Sequence, residues 1–102
     1  GVPLVMVLGH DSCGAVSATV QGGEVPGHLA SLVQFIQPAV DAAREAGNES
    51  LVLDSSIDNN IWNIVEQLES SEPLLSEMVE SGEVTIVGAR YHLDSGIVEI
   101  LE

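Results

Sequence analysis

The stretch Val2-Pro3-Leu4-Val5-Met6-Val7-Leu8-Gly9-His10-Asp11-Ser12-Cys13-Gly14-Ala15-Val16 decides the fold. An unbroken apolar run from Pro3 to Leu8 closes at Gly9. Continuous rather than alternating hydrophobicity predicts a strand buried on both faces. The polar loop His10-Asp11-Ser12-Cys13 follows, and Gly14 to Val20 reads as a short helix of small residues that ends near Gly22-Gly23. A strand, a tight polar turn and a helix N-terminus in succession mark the carboxyl end of a strand, where α/β proteins build their sites.

Outward from this unit the chain alternates helix and strand signals. Pro26-Gly27-His28 punctuates it, and Leu29, Leu32, Val33, Ile36, Val40 and Ala43 recur at helical spacing, predicting a helix over 29–46 with a stop at Gly47-Asn48. Ile57, Ile61, Ile64, Val65 and Leu68 predict a second helix from Leu53 to Leu68. A third is expected after Ser71 as N-cap, with Glu72 and Pro73 in its first turn, Leu74, Leu75, Met78 and Val79 as its stripe, and Gly82 as its end. Glu83 to Tyr91 reads as a strand, Asp94-Ser95-Gly96 as a turn, and Ile97 to Leu101 as a hairpin partner. The fold class is therefore α/β, a mostly parallel sheet flanked by helices with a C-terminal hairpin strand, and 1–102 is expected to form a single domain. Two parallel strands and one antiparallel strand make a thin sheet. The chain also runs from Gly1 straight into a strand, so the expectation is a portion of a longer protein with further strands supplied from outside.

Charge narrows the partners. Two Lys+Arg stand against 16 Asp+Glu, a formal charge of −14. Such a surface repels phosphate backbones and anionic lipid, which excludes nucleic acid and membrane surfaces as partners. It stays soluble at high salt, where screening relieves its self-repulsion. With 45 % apolar but only 3 % aromatic residues, the core must be built from Val, Leu, Ile and Ala. The apolar run at the start is far shorter than the roughly 20 residues of a spanning helix, and it lacks the basic flank of a signal peptide. A lone cysteine, Cys13, excludes an internal disulfide framework. It fits cytoplasm and periplasm alike, with cytoplasm the first expectation.

His10 and Cys13 are the one concentration of chemistry-bearing side chains. Imidazole nitrogen and thiolate sulfur are the usual zinc donors, and a helix N-terminus favours the thiolate. Zinc takes four donors, or three and a water, so two residues make part of a site. Other readings of the loop stay open: a loop histidine beside a half-buried thiol without metal, or a Cys13–His10 nucleophile pair. A nucleophile elbow does not fit, because its G-x-S-x-G order is not met. His28 reads as a cap or surface residue, His92 as exposed, and Trp62 as packing in an apolar helix. Glu66, Glu69, Glu72, Glu77 and Glu80 read as solvated surface.

The strand with Gly9-His10-x-x-Cys13-Gly14-Ala15-Val16 resembles the second half of the zinc site of β-class carbonic anhydrases. The likeness continues through Asn60-Ile61-x-x-x-Val65-x-x-Leu68, then Ser71-x-Pro73-Leu74-Leu75, then Gly82-x-Val84-x-Ile86-Val87-Gly88-Ala89-x-Tyr91 and Leu93-Asp94-Ser95-Gly96-x-Val98. It spans essentially the whole sequence in order, as the C-terminal portion of such a fold. It implies zinc-dependent reversible hydration of carbon dioxide to bicarbonate, with zinc activating a water as hydroxide nucleophile. It also implies a homodimer or higher oligomer. His10 and Cys13 match the family's His and second Cys. The first Cys belongs to an upstream C-x-D-S-R motif, together with an Asp that can take the fourth place and an Arg that pairs with it. That motif is absent here, and Asp11-Ser12 is not it. The remaining ligands are therefore expected from outside this sequence. Gly14 is expected to let the helix backbone approach closely. Beside this reading stand a carbonyl sulfide or carbon disulfide hydrolase and a non-catalytic interaction module with an incomplete metal site.

Overall fold

A computed structural model describes residues 2–101. The elements are β1 (Leu4–His10), α1 (Gly14–Gln21), α2 (Leu29–Glu45), a 3-10 turn (Glu49–Leu51), α3 (Val52–Glu69), α4 (Leu75–Ser81), β2 (Thr85–His92) and β3 (Ile97–Ile100). The sheet order is β1-β2-β3. β1 pairs with β2 in parallel, Leu4 opposite Thr85 through His10 opposite Tyr91. β3 returns antiparallel, His92 opposite Ile97 and Ala89 opposite Ile100. The α/β reading, the parallel pair and the closing hairpin hold as expected.

α3 seats on the β1–β2 pair, and α1 and α2 pack behind it. The seat requires two glycines. A Cβ on Gly9 would stand 2.5 Å from Ile61 Cδ1, and one on Gly88 would stand 2.7 Å from Ile61 Cγ2. Ile61 thus rests directly on bare backbone between the strands. Ile57, Val65, Val40, Ile36, Val16 and Ile86 close the core around it.

Several expectations need correcting. β1 is not buried on both faces: Leu4, Met6 and Leu8 are 41–52 % exposed, while Val5 and Val7 pack against the core. The ladder puts Val98 and Ile100 on the same open face, and both are exposed. Helices cover one side of the sheet only, so the continuous run lines two unlike faces. The last helix begins at Leu75, not after Ser71, because a residue before proline, here Glu72, is pushed away from the helical region. Among the described residues Gly14 has no neighbour within 4 Å of a Cβ position, whereas close approach is required at Gly9 and Gly88. Trp62 is 39 % exposed rather than packed, since it lies off the stripe that faces the sheet.

Candidate functional site

β1 ends by handing the chain to a turn rather than to solvent. The ladder extends one residue past it, the Asp11 N–H donating to the Tyr91 carbonyl at 3.1 Å. Ser12 then adopts φ 54°, the one positive φ among the described non-glycine residues. A left-handed serine is uphill by about 1–2 kcal/mol, so its flanks must hold it. Cys13 is the N-cap of α1, and its carbonyl accepts the Ser17 N–H at 2.9 Å.

His10 is exposed and Cys13 is half-buried. The His10 Nδ1–H donates to the Asp11 carbonyl at 2.9 Å. A carbonyl only accepts, so Nδ1 carries a hydrogen, and in the neutral ring this leaves the lone pair on Nε2. That is the usual arrangement of a metal-ligating histidine, whose second nitrogen is tied to a carbonyl or carboxylate. Cys13 stands at the start of α1, and thiol sulfur is a usual zinc donor. Both residues therefore suit zinc as donors. Among the described residues no group of three His, Cys, Asp or Glu side chains comes together to hold a metal. His28 is exposed at the N-cap position of α2 and makes no capping bond.

Sequence reasoning missed the cluster beside this loop. Arg90, near the end of β2, is 7 % exposed. Its Nε donates to Asp11 Oδ1 at 2.8 Å, Nη2 to Asp54 Oδ1 at 2.6 Å, and Nη1 to Asp58 Oδ1 and the Asp54 carbonyl, each at 3.2 Å. Desolvation opposes the guanidinium charge, but bonds to Asp54, Asp11 and Asp58 outweigh it and raise its pKa. Asp11 is in turn held below the usual carboxylate range, chiefly by its bond from Arg90. His92, expected to be exposed, is half-buried and clamped: Nδ1–H donates to Asp11 Oδ2 at 3.3 Å and Nε2–H to Glu99 Oε1 at 2.9 Å. The bond to Glu99, with the nearby Asp11 charge, raises its pKa. With a carboxylate facing each ring nitrogen, His92 can donate at both ends when protonated, so the site favours that form. Asp11, Ser12, Leu53, Asp54, Arg90 and His92 line an open hollow of about 430 Å³ next to the His10–Cys13 turn. A signal was available for Arg90: a cation inside an otherwise apolar strand needs partners.

Comparisons with known proteins give the family and the fold. Residues 1–98 match the family model described as carbonic anhydrase. The chain is 38 % identical over 103 residues to a carbonic anhydrase of Mycolicibacterium smegmatis, covering 97 % of this chain and 49 % of the relative. It is 35 % identical over 99 residues to carbonic anhydrase 2 of Mycobacterium tuberculosis, covering 93 % of this chain and 47 % of that protein. It thus spans about half the length of the relatives it matches. The fold overlays a tetrameric β-carbonic anhydrase from Sordaria macrospora with a TM-score of 0.85 at 16 % identity, over 98 % of this chain and 52 % of that one. It overlays the β-carbonic anhydrase CcaA with a TM-score of 0.78 at 16 % identity, over 98 % and 47 %. The chain therefore belongs to the carbonic anhydrase family and has the fold of its β class.

Proposed function

We propose that this chain serves the reversible hydration of carbon dioxide to bicarbonate, holding zinc through His10 Nε2 and the Cys13 thiolate together with donors from outside the 102 residues. The observation that carries the reading is the His10 Nδ1–H bond to the Asp11 carbonyl, which leaves Nε2 free on a loop that also bears the thiol. Zinc, when bound, supplies the Lewis acidity that makes a water nucleophilic near neutral pH. The protein's part is positional. The Asp11 carbonyl orients the imidazole, and the start of α1 positions Cys13. The acidic surface does not slow a neutral substrate, and its negative field favours departure of the bicarbonate anion.

We also propose a homo-oligomer, on the support of the open apolar face of β1 and β3 and of the tetrameric relative. Elemental analysis for zinc after exhaustive dialysis tests the central claim, with Cys13→Ser as control. About one zinc per chain, lost in the variant, supports it, and carbon dioxide hydration is then assayed. No retained zinc in an assembly that includes the upstream donors refutes it and leaves the interaction-module reading.

A further inference from the structure

The geometry points to Arg90 as a positioning residue for the His10–Cys13 loop: by gripping the Asp11 carboxylate it fixes the carbonyl that orients the His10 ring and holds the left-handed turn at Ser12. This rests on the reading of His10 and Cys13 as zinc donors.

Asp11 is tied at three points, all on the β2 side. Its N–H reaches the Tyr91 carbonyl, Oδ1 takes Arg90, and Oδ2 takes His92. Its carbonyl, in turn, takes the His10 Nδ1–H. One residue therefore links the grip of β2 to the direction of the imidazole. Ser12, next in the chain, stands at φ 54°, a conformation a serine keeps only where its neighbours are held on both sides. On the far side Cys13 is held by its place at the start of α1. On the near side the hold is Asp11. Without the carboxylate contact, the near side of the turn would keep only the backbone bond to Tyr91.

The grip is aimed. Asp54 and Asp58 lie one helical turn apart on α3 and take two edges of the guanidinium, leaving Nε for Asp11. A planar fork offers five N–H donors in fixed directions, one edge to each of the three carboxylates, whereas an ammonium presents its three donors from a single point. The chain contains two Lys or Arg side chains, Arg44 and Arg90. One of them is placed nearly out of solvent, 79 residues from Asp11, against the loop that carries the donors.

The test compares Asp11→Asn, Arg90→Lys and the double variant in the zinc-loaded and metal-free protein. Asp11→Asn keeps the side-chain shape and leaves Arg90 with Asp54 and Asp58, so folding is retained and is checked by cooperative urea unfolding. Zinc affinity is read by chelator competition. Cys13 reactivity toward a chromogenic disulfide is read without metal. Asp11→Asn weakens zinc about 10- to 100-fold and speeds Cys13 modification, Arg90→Lys falls between it and wild type, and the double variant is no weaker than Asp11→Asn, because both changes weaken the same charge-assisted contact. Wild-type affinity and wild-type thiol rate in folded Asp11→Asn overturn the proposal, as do fully additive losses. If the wild-type protein holds no zinc in an assembly that includes the upstream donors, the donor reading fails by itself. The thiol rate then decides the grip: faster in Asp11→Asn supports it, and unchanged overturns it.

Discussion

Adding one methyl group at Gly88 tests how α3 is seated, and with it the aim of Asp54 and Asp58. An alanine Cβ there would stand 2.7 Å from Ile61 Cγ2 and 3.5 Å from Val65 Cγ2. The first distance is untenable, and Cγ2 is fixed to the branched carbon next to the helix backbone, so the methyl cannot swing aside without a new rotamer. Overpacking of this kind costs about 1–3 kcal/mol. Loss of glycine's freedom in the unfolded chain returns about 0.4–1 kcal/mol. The net expectation for Gly88→Ala is a loss of about 1–2 kcal/mol, or about 1 M in the urea midpoint for a chain of this size. At Gly9 the clash is with Ile61 Cδ1 at 2.5 Å and Cγ1 at 2.8 Å. Ile61→Val deletes Cδ1 and keeps Cγ2. In that background Gly9→Ala should become milder while Gly88→Ala keeps its cost; in Ile61→Ala the cost of Gly88→Ala should vanish. The coupling energies are expected at about 1–2 kcal/mol. Urea unfolding followed by far-ultraviolet circular dichroism reads all of them. Equal cost of Gly88→Ala with Ile61 or Ala at position 61 would refute the seating argument.

Two further outcomes follow from charge. His92 has its pKa raised above the ordinary 6.5, first by Glu99 and then by Asp11. Its contribution is therefore complete below the unfolded value and is lost as pH rises through the folded one. The stability lost in His92→Gln should be larger near pH 5.5 than near pH 9, read by thermal unfolding at about those two values; an equal loss at both would show that His92 is not held as a cation. Second, a chain at −14 carries self-repulsion that salt screens. Its unfolding midpoint should rise between about 0.01 and 1 M sodium chloride, and a falling midpoint would mean that the Arg90 and His92 pairs outweigh the repulsion.

What could be read in the sequence is what local chemistry determines. Asp94-Ser95-Gly96 specifies its hairpin because Gly96 supplies the φ of 73° that the turn needs. The helix over 29–46 and the one ending near residue 68 were legible from their stripes. Burial was harder. The run Leu4 to Leu8 looks uniform as text, yet Val5 and Val7 face α3 while Leu4, Met6 and Leu8 face away. Periodicity cannot separate these, because all five are apolar. His92 was misread for a similar reason: its partners Asp11 and Glu99 come from β1 and β3, and nothing near it in the chain names them.

Arg90 is the instructive case, because the two periods that place it can be laid side by side. Asp54, Asp58, Ile61 and Val65 fall on one face of α3, acidic at its start and apolar beyond. Ile86, Gly88 and Arg90 fall on one face of β2, apolar at first and cationic at its end. Ile61 resting on Gly88 brings the two series into step, and Arg90 then meets Asp54 and Asp58. A one-residue slip of β2 would turn Arg90 to the open face and leave the carboxylates of α3 facing one another. The apolar seat sets where α3 lies, and the charges penalise the wrong register. The same contact that makes the register unique also extends to Asp11, and so to the loop carrying His10 and Cys13. Register and site geometry therefore depend on one guanidinium, which explains why a chain so poor in cations places one of them nearly out of water.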